Sequence, residues 1–260
     1  MSNSALVTYT SKSPNHSGKR THAVDRITPH CMAGHMTLQG LGAWFGKSST
    51  QASSNYGIDD YGKVGLYVDE DNRSWASSNR ENDQRAVTIE IASDNVHPYK
   101  TTDAAITGLI SLCVDICKRH GKKKLLWFGD KAKTLAYQPK ADEMVLTVHR
   151  WFANKACPGD HIYNKLGAVA AEVTKKLGGT AAASTASNAG GTSGSFMVRV
   201  DITDLNIRKG PGTDTAKTGK KTGKGTFTIT EVKSGKGSTA GWGKLKSGAG
   251  WISLDYATRI

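Results

Sequence analysis

Val87-Thr-Ile-Glu-Ile91 is a short β-branched and apolar run with one acid inside it. It is too short for a helical stripe, and it reads as an interior strand. Lys124-Leu-Leu-Trp-Phe128 has the same character, and Val64 to Val68 and Val145 to Val148 look similar. Between these runs the period changes. Asp103 to His120 carries Ile106, Leu109, Ile110, Cys113, Ile116 and Cys117 at helical spacing, with Asp103 in the first turn and Gly121 as the stop. Asp160 to Leu177 repeats the pattern with Ile162, Leu166, Val169, Val173 and Leu177, ahead of Gly178-Gly179. Strands alternating with helices predict an α/β domain, a sheet covered by helices.

That pattern stops at Gly179. Residues 179–195, GTAAASTASNAGGTSGS, have no charge, no large apolar side chain and no periodicity. Such a stretch buries too little surface to offset the entropy of ordering it. It reads as a flexible linker, spanning roughly 20–25 Å as a coil. Beyond it the style changes again. Leu205-Asn-Ile-Arg208, Phe227 to Val232, Gly241 to Lys246 and Gly250 to Tyr256 are short runs between Gly-rich turns, the spacing of a small all-β barrel. The predicted boundaries are therefore 1–178, 179–195 and 196–260.

The chain has 260 residues and a formal net charge of +13, of which +7 falls on 196–260. That excess favours a polyanionic partner: nucleic acid, anionic lipid or an anionic wall. With 37% hydrophobic residues the chain is neither collagen-like nor wholly disordered. No run of about 18 apolar residues is present, so no membrane insertion is expected. The first twenty residues lack the apolar core of a secretory signal, so a reducing compartment is expected during folding. The four cysteines are too few and too scattered for a disulfide scaffold or a zinc knuckle.

Chemistry concentrates in a few places. His149 follows the apolar run Met144 to Val148, and Cys157 lies eight residues on, just before a helix start marked by Pro158. A strand end and a helix start joined by a short loop can bring an imidazole and a thiolate to one metal, and zinc suits the pair. A packed histidine and a small buried cysteine would leave the same trace. A third ligand would complete a catalytic site; His30 is the candidate and His35 the competitor. Cys113 and Cys117, one turn apart on an apolar stripe, read as core. Cys31 neighbours His30, and strand alternation would point it to the opposite face. Trp44, Phe45 and Trp75 fit either a substrate groove or a core.

Taken together, Ile27-Thr-Pro-His30…Gly34, Ser54-Asn-Tyr-Gly-Ile58…Gly62, Ser74-Trp-Ala76, Ala86 to Ile91 and His149-Arg-Trp-Phe-Ala-Asn-Lys-Ala-Cys157-Pro-Gly resemble the zinc N-acetylmuramoyl-L-alanine amidases. Phage endolysins belong to that group, and peptidoglycan-recognition proteins are similar to it. The likeness covers most of residues 20–178. It implies a mixed β-sheet flanked by helices, and Zn2+ held by His30, His149 and Cys157. Glu90 would be the acid/base residue, with Lys155 assisting. The bond cut would be the amide between N-acetylmuramic acid and L-alanine. Glu90 inside an apolar strand suits this role, since an unpaired carboxylate there is costly; a solvated edge-strand Glu and a surface Lys are the plain alternatives. The chain departs from the family at Ser54, where some members carry a tyrosine, at Asn55, where a histidine follows, and at Ala76, where many carry a histidine.

Leu205 to Gly212, Gly241-Trp-Gly-Lys-Leu245 and Gly250-Trp-Ile252 resemble a bacterial SH3 domain, which implies a wall-binding module. Trp242 and Trp251 sit at strand positions that read as buried, against a nucleic-acid surface. Partners are then peptidoglycan and its anionic polymers. The expected setting is an endolysin held in the host cytoplasm until a holin releases it to the wall. A thiol peptidase using Cys157 or Cys31 with His149, and a peptidoglycan-binding protein that does not cut, are the competing readings.

Overall fold

β1 (Val7–Thr10), β2 (His16–Lys19), β3 (Arg26–Cys31) and α1 (Leu38–Phe45) open the chain. β4 (Tyr56–Ile58), β5 (Val64–Leu66), β6 (Asn72–Ser74), α2 (Arg80–Arg85) and β7 (Ala86–Ile91) follow. Then come α3 (Asp103–Arg119), β8 (Lys124–Leu126), α4 (Lys131–Ala136), β9 (Glu143–Leu146) and α5 (Gly159–Lys176). This computed structural model describes residues 3–179, 195–238 and 240–259. It divides the chain into two units, Met1–Ala186 and Ser187–Ile260. The linker expected at 179–195 falls, for residues 180–194, outside the described residues.

The first unit is built on a seven-stranded sheet in the order β1-β5-β4-β7-β3-β9-β8. All neighbours run parallel except β4 and β5, which are antiparallel. The central strands β7 and β3 are buried along most of their length, which is why they read as nearly continuous apolar runs. α3 and α5 lay their apolar stripes on this sheet. Leu109, Leu112, Ile116, Ile162, Leu166 and Val173 join Ile27, Ile89, Ile91, Met144 and Leu146 in one core. Thr102 caps α3 by accepting from the Ala105 N–H, and Gly121 takes the left-handed turn that ends it (φ 66°).

Behind the sheet, a charged cluster fastens the end of α3 to the segment before β6. Glu70 has no exposed side-chain surface. It accepts from Tyr56 (2.6 Å), from two Arg119 nitrogens (2.7 Å each) and from His120 (2.6 Å). Burial pushes its carboxyl up, but these donors outweigh burial and bring it to about 2. Tyr56 thus serves packing and this network, and Ser54 is buried with its hydroxyl on the Tyr56 carbonyl.

The second unit is an antiparallel arrangement of β10 (Phe196–Val200), β11 (Asn206–Arg208), β12 (Lys217–Lys221), β13 (Gly225–Lys233), β14 (Trp242–Leu245), β15 (Trp251–Ser253) and β16 (Thr258–Arg259). Its own core joins Val198, Val200, Leu205, Ile207, Ile229, Leu245 and Ile252. Gly250 (φ 133°) passes so close to the Arg208 carbonyl that a Cβ would lie 2.3 Å from it. Trp242 and Trp251 are buried, as expected. Lys233 and Lys244 lie over the Trp251 ring at 5.4 and 5.8 Å from its centroid. Among the described residues no helix is long and apolar enough to cross a membrane.

Candidate metal centre

His30 and Glu90 are side by side because their strands are. β3 and β7 pair in parallel register, with His30 opposite Glu90 and Pro29 opposite Ile89. In such a rung both side chains leave the same face of the sheet. The His30 ring is 1% exposed, and its Nδ1 is 3.9 Å from Glu90 Oε1.

The other two residues arrive on a loop that doubles back on itself. His149 opens a single 3-10 turn, His149–Trp151, immediately after Val148 rather than ending the strand itself. Phe152 and Ala153 N–H groups close on the His149 carbonyl. The Arg150 N–H then donates to the Cys157 carbonyl at 3.0 Å, which returns the end of the loop to its start. α5 begins directly beyond, with Pro158 as its cap residue. Cys157 Sγ lies 3.3 Å from His30 Nδ1, and the His30 and His149 rings are 5.1 Å apart, edge to face.

His30, His149 and Cys157 each offer one ligand atom, all within 4.8 Å of one another. Two ligands at zinc-bond lengths and a tetrahedral angle lie about 3.5 Å apart. The 3.3 Å separation of Sγ and Nδ1 agrees with that geometry. The donor set is also chemically coherent. Burial, with His149 alongside, holds His30 well below the usual histidine range; burial and the Lys155 charge hold His149 down. Both imidazoles are therefore kept neutral, with a lone pair to give. Burial pushes the Cys157 thiol up, a cost that a dication at the same point would reverse. These residues fit a tetrahedral N/S-bound metal with an open fourth position.

Glu90 is held in reserve. Its side chain is 18% exposed, yet Oε2 is buried with no hydrogen-bond partner. Burial, and then the nearby Cys31, raise its carboxyl well above the ordinary value. A carboxyl raised in this way holds its proton more readily than an ordinary one. Lys155 is exposed on the 150–157 loop, close enough to His149 for its charge to be felt there.

Of the sequence-predicted residues, His30 joins His149 and Cys157, and His35 does not. His35 is engaged between Asp60 (2.9 Å) and Asp94 (2.8 Å), which raise it above its ordinary value. Cys31, the last residue of β3, pairs with Ile91 in the regular register and packs on the edge of the core, while a hydrogen bond with Cys157 lowers its thiol. Phe45 is core, Trp75 is half-buried with its Nε1 on Ser17 Oγ (2.7 Å), and Trp44 is exposed. Sequence reasoning missed Ser78, whose hydroxyl is 3.0 Å from His149 Nε2.

The chain is similar to several solved structures. A mutant endolysin from Bacillus subtilis is 16% identical over 66% of this chain and 99% of that one, with a TM-score of 0.46. The endolysin amidase LysCS of Clostridium intestinale is 15% identical over 66% and 97%, at 0.41. A Drosophila peptidoglycan recognition protein is 13% identical over 59% and 84%, at 0.44. No curated protein matches the sequence. Residues 19–160, more than half of the chain and the stretch that contains His30, Glu90, His149 and Cys157, match the type 2 amidase family, described as N-acetylmuramoyl-L-alanine amidase, and the chain belongs to that family of peptidoglycan-hydrolysing enzymes.

Proposed function

We propose that the chain is a zinc-dependent endolysin that cuts the amide joining N-acetylmuramic acid to the L-alanine of the stem peptide. The observation that carries this reading is the meeting of His30, His149 and Cys157 donor atoms within 4.8 Å, beside an unpartnered buried carboxylate oxygen of Glu90. His30, His149 and Cys157 would hold the zinc. When bound, zinc supplies Lewis-acid polarisation of the amide carbonyl and makes water a better nucleophile. Glu90 accepts the proton of the attacking water and returns it to the departing L-alanine amine. Lys155 adds positive charge where the oxyanion develops. The buried Ser54 offers no substitute for the tyrosine of some family members, so the proton work falls to Glu90.

Residues 1–178 are the catalytic domain in this reading. Residues 196–260 form an SH3-like module that holds the enzyme on the wall, joined by the linker 179–195. The +7 charge of the module supports attraction to anionic wall polymers, alongside peptidoglycan itself. The enzyme would wait in the host cytoplasm until a holin opens the way to the wall.

Mass analysis of digested wall tests the bond. New free amine on L-alanine with intact glycan is expected, and it should vanish with a chelator and return with zinc. New reducing ends, or activity that resists chelation and yields to thiol alkylation, would overturn the reading in favour of a glycosidase or a thiol peptidase.

A further inference from the structure

We propose that Ser78 is a positioning residue for His149, its hydroxyl oxygen accepting a hydrogen bond from the imidazole Nε2–H so that Nδ1 is the nitrogen offered to a metal. This inference rests on the reading of His149 as a metal ligand. A neutral imidazole has one N–H and one lone pair, and the partner of the first decides which nitrogen carries the second. Ser78 Oγ stands 3.0 Å from Nε2.

Ser78 occupies a costly backbone state to be there. Its φ is +57°, in the left-handed region that residues with a Cβ avoid. The surrounding bonds enforce it. Asp83, 2% exposed, accepts from the Ala76 N–H (3.1 Å), the Ser77 N–H (3.2 Å) and the Ser77 hydroxyl (2.6 Å). On the far side, Asn79 caps α2 by accepting from the Asn82 N–H (2.8 Å). Ser78 is thus clamped between two anchored neighbours.

The clamp is tied to the strands that deliver both histidines. Asn82 is fully buried, and its amide donates to Ser77 Oγ (3.2 Å) and Thr28 Oγ1 (3.1 Å). Its carbonyl accepts from Thr147 (3.1 Å) and Arg26 (3.2 Å), and Thr28 and Thr147 bond each other at 2.7 Å. Thr28 is two residues before His30 and Thr147 two before His149. All four hydrogen-bonding positions of the Asn82 amide are filled, so this network has one arrangement. It sets the height of the loop that carries Ser78 against the segment that carries His149.

The test uses the full-length protein, with zinc as the probe. In the zinc-free wild type, nitrogen-15 NMR of His149 should show Nε2 protonated as the dominant tautomer; in Ser78→Ala the two tautomers should mix. Zinc affinity, read by competition with a chromophoric chelator, should fall about 10- to 100-fold in Ser78→Ala. Ser78→Gly, which suits the positive φ and also lacks the hydroxyl, should lose as much. Unchanged tautomer and affinity in Ser78→Ala, or full affinity in Ser78→Gly, would overturn the proposal. Failure of the underlying metal reading has a different signature: no zinc in the wild type, or zinc undiminished in His149→Ala, which would also bring down the role of Ser78.

Discussion

Glu70 and Glu90 are two carboxylates in one domain, the first buried and the second half-buried, brought to opposite conditions by their neighbours. Glu70 receives bonds from Tyr56, Arg119 and His120 and stays ionised down to about 2. Glu90 has one oxygen without a partner, and burial raises its carboxyl instead. The first is saturated and can only hold structure. The second is undersupplied, which suits the proton transfer proposed for it, since a group already filled with donors has little capacity to move a proton. The residue type is the same in both places; the number of donors within reach separates the anchor from the proposed reagent.

Exchanging each acid for its amide breaks that contrast most directly. Glu90→Gln should lower the rate of wall cleavage by about 10²–10⁴-fold with zinc still bound, while the unfolding midpoint stays level or rises. Near-normal turnover in zinc-loaded Glu90→Gln would hand the proton transfer to another residue. Glu70→Gln should do the reverse. Leaving Arg119 against an uncharged partner should cost about 3 kcal/mol in a denaturant titration, with turnover of the folded fraction near wild type.

Acid sharpens the comparison further. The carboxyl of Glu70 is lower in the folded protein, about 2, than its ordinary value of 4.5. The folded state therefore binds fewer protons, and the stabilisation is fully present above about 4.5 and lost as pH falls toward about 2. Urea midpoints measured across this range should fall for the wild type and flatten for Glu70→Gln; parallel curves would remove Glu70 as the acid-sensitive anchor. The smallest effect is expected at Lys155, which is exposed and, in the proposed mechanism, acts by charge alone. Lys155→Ala should slow the reaction about tenfold, and an unchanged rate would make it a surface lysine.

What the sequence made legible follows from distance along the chain. His149 and Cys157 share one short loop, and their eight-residue spacing suggested the pair without deciding it. The helices of 103–119 and 159–176 announced themselves by period, and the strands of the second unit by their glycine turns. His30 had no such signal: it meets Cys157 across 127 residues because β3 lies between β7 and β9, an order that spacing does not encode. Glu70 and His120 are 50 residues apart and equally silent. Ser77 to Gln84 is polar throughout, with no apolar period to mark α2, so the segment under His149 passed unread. Its only sequence trace is a cluster of Ser, Asn and Asp, which reads as a turn.

The shared rung of His30 and Glu90 has a consequence for how this chain can change. A sheet keeps count: adding or removing one residue in β3 or β7 turns everything beyond it to the other side. An insertion between Arg26 and His30, or between Ala86 and Glu90, would thus part the acid from the imidazole even if every surrounding residue were kept. Length variation compatible with activity is confined to the connections, and even there the Arg150–Cys157 clasp fixes one of them at its present span. Lineages of this enzyme should therefore drift in composition along these two strands while never drifting in number.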